Sequence, residues 1–224
     1  MASLSRRMFL GLPLAAAVAS LPRIAFAVSE TQQMVERARI AFLDIITDNN
    51  YAEMRDYVKR AQALIIFPEL VKGAFVFGAE GGSGVLVARG PKGWSNPAFY
   101  TLASGSFGLQ IGVQAAELVL TIMSSRGLQA IINNQFKIGG NVDVAVGPMG
   151  KGVSAATTFS GDAFSFAKTL GAYAGFSLDG AGIFARDSWN AEYYKAGAEP
   201  AGIVIDRKYS NPDAQILVDT LAPY

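Results

Sequence analysis

The sequence predicts an α+β fold: a strongly bent, mainly antiparallel sheet, closing toward a partial barrel, with N-terminal, central and C-terminal helices. Three observations predict it. Between Lys72 and Gly112, β-favouring runs (Ala74 to Phe77, Val85 to Val87, Phe99 to Leu102) alternate with glycine clusters, a texture that reads as strands joined by tight turns. Similar texture returns between Phe136 and Ala185. Apolar stripes at helical spacing, with capping residues ahead of them, lie before, between and after these β regions.

The chain has 224 residues, of which 51% are hydrophobic and 17% charged. That supports one sizeable core and a single domain. It contains no cysteine and no histidine. Disulfides, thiol nucleophiles, Cys/His metal sites and a Ser-His-Asp triad are therefore excluded.

At the N-terminus, Ser5-Arg6-Arg7-Met8-Phe9-Leu10 resembles a twin-arginine export signal, departing only at Gly11, where Lys is usual. An apolar run from Met8 to Leu21 follows, and Ala25-Phe26-Ala27 supplies a small-x-small cleavage site. The run is shorter than the ~20 residues that span a bilayer and is broken by Pro13 and Pro22. The expected organisation is a signal over residues 1–27, cleaved after Ala27, and one domain over 28–224 working in a bacterial periplasm. Without Arg6, Arg7 and Arg23, 16 basic residues face 18 acidic ones, a net charge of −2. Overall charge then gives no drive toward nucleic acid.

Taken in order, Ser29 caps a helix beginning at Glu30, with Met34, Ala38, Phe42 and Ile45 on one stripe. A break at Asp48-Asn49-Asn50 precedes a second helix, about Tyr51 to Ala61. Both are expected to pack on the sheet; the alternative for the first is to lie on a membrane surface. Ala63 to Phe67 reads as a buried strand ended by Pro68, and the meander follows. Glu117 to Ser124 fits either a strand or a helix start, and Leu128 to Ile132 a helix stopped by Asn133-Asn134. Lys137 to Val146, Val153 to Thr158 and Ala163 to Phe166 are strand candidates, with a turn over Gly147 to Lys151. Asp187 or Ser188 caps a short helix to Lys195. Asn211 with Pro212 starts a last helix to about Leu221, placing Ile216, Leu217 and Leu221 inward.

The chemistry-bearing patterns are few. Gly150-Lys151 is followed by Gly152, not the Ser or Thr of a phosphate loop, and Gly82-x-Gly84 runs on into a strand. Glu80, Glu117, Asp143, Asp162 and Asp179 are candidate carboxylates for hydrolysis, but no spacing pairs them. Lys72, Arg89, Lys92 and Lys151 each sit beside a Gly or Pro turn. Gathered at one end of the sheet they would form a patch for lipid phosphates, each contributing on the order of 1 kcal/mol at an anionic surface. Trp94 reads as a core residue covering a turn, or as an amphipathic foot at a membrane interface.

Several motifs in order resemble the SYLF lipid-binding domain family: Pro68-x-x-x-Lys72-Gly73, Gly81-Gly82-Ser83-Gly84-Val85, Trp94-Ser95-x-Pro97, Gly108-x-Gln110-x-Gly112, Gly147-Pro148-Met149-Gly150-Lys151 and Asn190-x-x-Tyr193-Tyr194. They cover roughly residues 35 to 196. The resemblance implies phospholipid binding with no cofactor and no established catalytic activity. Eukaryotic members bind phosphoinositides, and some bind actin. For an exported bacterial protein the expected partners are anionic phospholipids such as phosphatidylglycerol and cardiolipin, or lipid A phosphates. Lys72 and Lys151 are carried over from the family's basic surface; Arg89 and Lys92 come from the turn argument alone. The competing readings are an envelope protein-interaction module without lipid specificity and a carboxylate-dependent hydrolase.

Overall fold

The computed structural model describes residues 28–74, 77–107, 112–140, 142–147, 161–170 and 180–224. Its centre is a nine-stranded mixed sheet, strongly curled into a half-barrel. The strands are β1 (Ala63–Ala74), β2 (Phe77–Gly90), β3 (Gly93–Trp94), β4 (Ala98–Phe107), β5 (Gly112–Ile122), β6 (Phe136–Lys137), β7 (Val144–Val146), β8 (Ala163–Leu170) and β9 (Gly182–Ala185). Their order is β6-β9-β4-β2-β1-β5-β8-β7, with β3 on β2. All pairs are antiparallel except β7 with β8. The helices are α1 (Glu30–Thr47), α2 (Met54–Arg60), α3 (Ser125–Ile132), α4 (Asp187–Tyr193), α5 (Pro200–Val204) and α6 (Gln215–Leu221).

Strand alternation gives the sheet two buried faces, each with its own core. Leu64, Ile66, Val85, Val87, Phe99, Val119, Phe164 and Phe166 pack against α1, α2 and α6. Ile65, Phe67, Leu86, Tyr100, Leu118 and Leu120 pack on the other face with α3, α5 and Ile183. Helix α1 therefore packs on the sheet through Met34, Val35, Ala38, Ala41, Phe42, Ile45 and Ile46, all buried. Ser29 caps it as expected, accepting from Gln32 N.

The meander differs from its sequence reading in one instructive way. Pro68 does not end β1. The strand runs on to Ala74 past a bulge, one extra residue between Phe67 and Leu70, a place where a strand tolerates a missing N–H. Nor do Gly81, Gly82 and Gly84 form a turn; they lie inside β2, opposite that bulge. A Cβ on Gly82 would overlap Glu69 O and sit 2.7 Å from Leu70 Cδ2. One on Gly84 would overlap Ile66 O and sit 2.5 Å from Phe67 Cδ1. The cluster exists because two backbones approach closely, not because the chain reverses.

Other elements resolve the remaining alternatives. Residues 112–122 are strand β5, and Ser124 caps α3 through Gly127 N. The second helix begins later than expected, at Met54, after a short 3₁₀ turn over Asn49–Tyr51. Asn211 caps a 3₁₀ turn, Pro212–Ala214, that leads into α6. There Leu217 and Leu221 are buried, but Ile216 is exposed. Helix α5 was not foreseen. The expected strand over 153–158 and the Pro148 to Lys151 turn lie outside the described residues, as does the N-terminal segment with Arg6, Arg7, Ala25 and Ala27.

Candidate functional site

Two of the motifs that carry the resemblance, Trp94-Ser95-x-Pro97 and Asn190-x-x-Tyr193-Tyr194, meet in space, and what they do is hold the fold. Trp94 is 4% exposed and donates from Nε1 to Leu221 O at 3.0 Å, so it is a core residue. Ser95 Oγ accepts from Ala88 N and donates to Asn96 O. Asn190, fully buried, accepts from Phe99 N at 2.8 Å. Tyr194 donates to Pro97 O at 2.7 Å, and Tyr193 donates to Gln32 on α1 and packs edge-on against Phe99. The Trp94-to-Pro97 segment and the Asn190-to-Tyr194 segment thus fasten α4 and α6 to the start of β4.

The structure separates the basic candidates. Arg89 lies where β1 begins. Its guanidinium donates to Val58 O and Ala61 O at the C-terminal end of α2, donates to Tyr224 O, and stacks 4.1 Å from the Trp94 ring. It closes the end of a helix, the place where backbone carbonyls lack partners. Lys92 is exposed on the adjacent turn between β2 and β3. Lys72 occupies the other end of β1, in register with Glu80 and Gln114. Ten residues of strand, about 30 Å, separate it from the Arg89 level. Arg89 and Lys92 therefore stand at one end of the sheet and the Lys72 position at the other. Lys151 lies outside the described residues.

The acids divide similarly. Glu80 is a register position in β2, and Asp179 is outside the described residues. Asp162, buried, accepts from Ser124 Oγ at 2.5 Å, from both Arg126 Nε and Nη2, and from Asp143 N. Arg126, with help from Ser124, holds its carboxyl below the usual range. This is a structural anchor for α3. Glu117 is 9% exposed and sits opposite Lys168 in the β5–β8 register, under the C-terminal half of α1. Lys168 Nζ pairs with Asp44 at 2.8 Å and Asp48 at 3.4 Å. Lys168 lowers the Asp44 carboxyl. Burial, with the Asp44 charge beside it, pushes Glu117 up to about 7. Tyr51 closes the group by donating to Ala167 O at 2.6 Å. The pair lies beneath a helix, not in a cleft. Among the described residues no group of acids is arranged to hold a metal, and no helix is long and apolar enough to cross a membrane.

The comparison with known proteins decides the family. Residues 103–224 match the Ysc84 family model, described as Las17-binding protein actin regulator. The chain belongs to the Ysc84 family. The SYLF resemblance is thereby borne out. Among its relatives, SH3 domain-containing YSC84-like protein 1 of Xenopus laevis is 33% identical over 141 residues, 61% of this chain and 42% of that protein. The Homo sapiens protein of the same name is 34% identical, over 61% of this chain and 41% of its own. LAS seventeen-binding protein 3 of Saccharomyces cerevisiae is 32% identical over 145 residues, 62% of this chain and 31% of the relative. The matched region thus spans less than half the length of each relative. The family description names binding and regulation, and the yeast relative is named for binding.

One basic residue that its sequence neighbours do not mark as a binding candidate shares the Lys72 end of the sheet. Lys137, exposed on β6, is in register with Gly182, and Gly182 with Ala103. It lines a recess of about 390 Å³ with Ala103, Phe136, Gly182 and Phe184. A two-residue strand leaves no periodicity, so only the sheet order brings it there.

Proposed function

We propose that this Ysc84-family protein is a non-catalytic, peripheral lipid-binding protein of the bacterial periplasm that contacts anionic headgroups through lysines at one end of its sheet. The observation that carries the reading is that the register places Lys72 and Lys137 at the same sheet end, on opposite faces and four strand spacings apart, in a chain whose family resemblance implies phospholipid binding. Two lysines contribute on the order of 2 kcal/mol at an anionic surface, enough for salt-sensitive attachment. Phosphatidylglycerol, cardiolipin and lipid A phosphates share the recognised chemistry. The twin-arginine-like N-terminus supports export, and the removal of residues 1–27 belongs to the same reading.

The test is vesicle flotation of the protein from Val28 onward, which contains every residue of both cores. Replacing Lys72 and Lys137 by Glu lowers affinity for phosphatidylglycerol vesicles roughly tenfold or more. Unchanged affinity and unchanged salt dependence sink the headgroup contact. A second reading has a specific motive: the yeast relative is named for binding Las17. It treats the chain as an envelope protein-interaction module, and would be favoured by absence of binding to any vesicle.

A further inference from the structure

The sheet extends beyond the helices that cover it. On the α1 side, β1 contributes Leu64 and Ile66 to the core, and the register then carries that face on to Val71. Val71 pairs with Gly81 of β2, which lies four residues from Val85 on the same face. On its other side it pairs with Ala115 of β5, four residues from Val119. Gly81 pairs with Ala103, Ala103 with Gly182, and Gly182 with Lys137. One transverse row therefore reads Lys137, Gly182, Ala103, Gly81, Val71, Ala115 across six strands. Five inter-strand spacings make it roughly 24 Å wide.

Among the described residues this row is exposed at Val71, Ala103 and Lys137, half-buried at Gly81 and Ala115, and buried at Gly182. Val71, on a central strand, is 41% exposed, and Ala103 is exposed. Phe184, 48% exposed, stands one step away on the same face, in register with Thr101, and its ring lies over Gly182. The register places positions 73, 79, 105 and 113 (Gly, Ala, Gly and Val) on this face as well. The opposite face at this level carries the positions of Lys72, Glu80, Ser104 and Gln114. The end of the sheet is thus apolar on one side and polar on the other.

We infer that this apolar band is a bilayer-contacting surface that enters the acyl boundary of a membrane leaflet, with Phe184 and Val71 as its larger side chains and Lys137 at its rim. The inference rests on the lipid-binding reading and adds the mode of contact. Three features select lipid as the occupant. Every strand of the row is hydrogen-bonded on both sides except at the β6 edge, so its backbone groups are satisfied, as an apolar medium demands. Apart from the recess at its Lys137 end, the row is built of small Gly, Ala and Val residues, a broad apolar strip rather than the Trp, Tyr and Arg anchors of protein hot spots. The polar face opposite keeps the strands at the interface and out of the bilayer interior.

The chain has no cysteine, so a single introduced thiol can be labelled uniquely. The experiment uses the protein from Val28 onward carrying Ala103→Cys or, from the adjacent position on the other face, Ser104→Cys. Each is labelled with an environment-sensitive nitrobenzoxadiazole. Each is mixed with phosphatidylcholine vesicles, with and without phosphatidylglycerol, some carrying acyl-chain quenchers. The expected result is a blue shift and acyl-chain quenching at position 103 and neither at 104. Phe184→Ser with Val71→Ser should lower partition into neutral vesicles about tenfold. Flotation with no shift at 103, or with equal shifts at both positions, overturns insertion and leaves headgroup binding standing. Absence of flotation with every vesicle overturns both readings together.

Discussion

Gly84 has room for a hydrogen and nothing larger. Its neighbours across the β1 bulge are a backbone carbonyl and the buried Phe67 ring, neither of which can move cheaply. Gly84→Ala should therefore destabilise the fold by about 1–3 kcal/mol, a fall in melting temperature of roughly 2–4 °C per kcal/mol for a chain of this size. Gly81→Ala, whose nearest contact would be Leu102 O at 3.3 Å, should cost clearly less. Equal melting temperatures for the two variants would remove close approach as the reason for the cluster. Arg89 makes the complementary point. Its hydrogen bonds go to three backbone carbonyls, so Arg89→Met should cost about 1–3 kcal/mol of stability and leave vesicle affinity unchanged. A variant of full stability and weakened lipid binding would return Arg89 to the headgroup contact.

At the scale of elements, α1 is held to β5 and β8 by a group whose charge depends on pH. Glu117 binds its proton more tightly in the folded protein than in the unfolded chain. It therefore contributes stability in full below the unfolded carboxylate value of about 4.3, and that contribution is lost as pH rises through about 7. Allowing for solvent at the partly exposed Asp44, the loss is on the order of 1–2 kcal/mol. Glu117→Gln should flatten the decline in urea-unfolding stability between acid and mildly alkaline conditions. Parallel pH profiles for the two proteins would show that Glu117 is not the titrating group. Why α1 was legible in the sequence is plain: a Ser cap and a long apolar stripe are local signals. The β1–β2 pair was only half legible. In the sequence Pro68 and the glycines read as punctuation, whereas their reason is a bulge and its partner strand, a non-local fact. Helix α5 has five residues, too few for a period, and Ile216 shows that a three-residue inward set on a seven-residue helix can be one too many.

For the whole molecule, sheet order did what sequence spacing could not. It sent Arg89 and Lys92 to one end, kept Lys72 at the other, and brought Lys137 and Phe184 to the Lys72 end from distant parts of the chain. Gly and Pro neighbours mark the basic residues in the sequence, a signal blind to which end of a strand a residue occupies. The family was legible in part because two of its motifs build the junction of β4, α4 and α6, where Trp94 bonds Leu221, Asn190 bonds Phe99 and Tyr194 bonds Pro97. In the proposed function, lipid meets the Lys72 end of the sheet. Its most direct test is flotation with phosphatidylglycerol vesicles at low and high salt, comparing Lys72→Glu/Lys137→Glu with Lys92→Glu at the opposite end. Contact at the Lys72 end predicts salt-sensitive binding that the double variant loses and Lys92→Glu retains, with a salt-resistant remainder from the apolar band. Equal weakening by both variants, or binding indifferent to both, would contradict it.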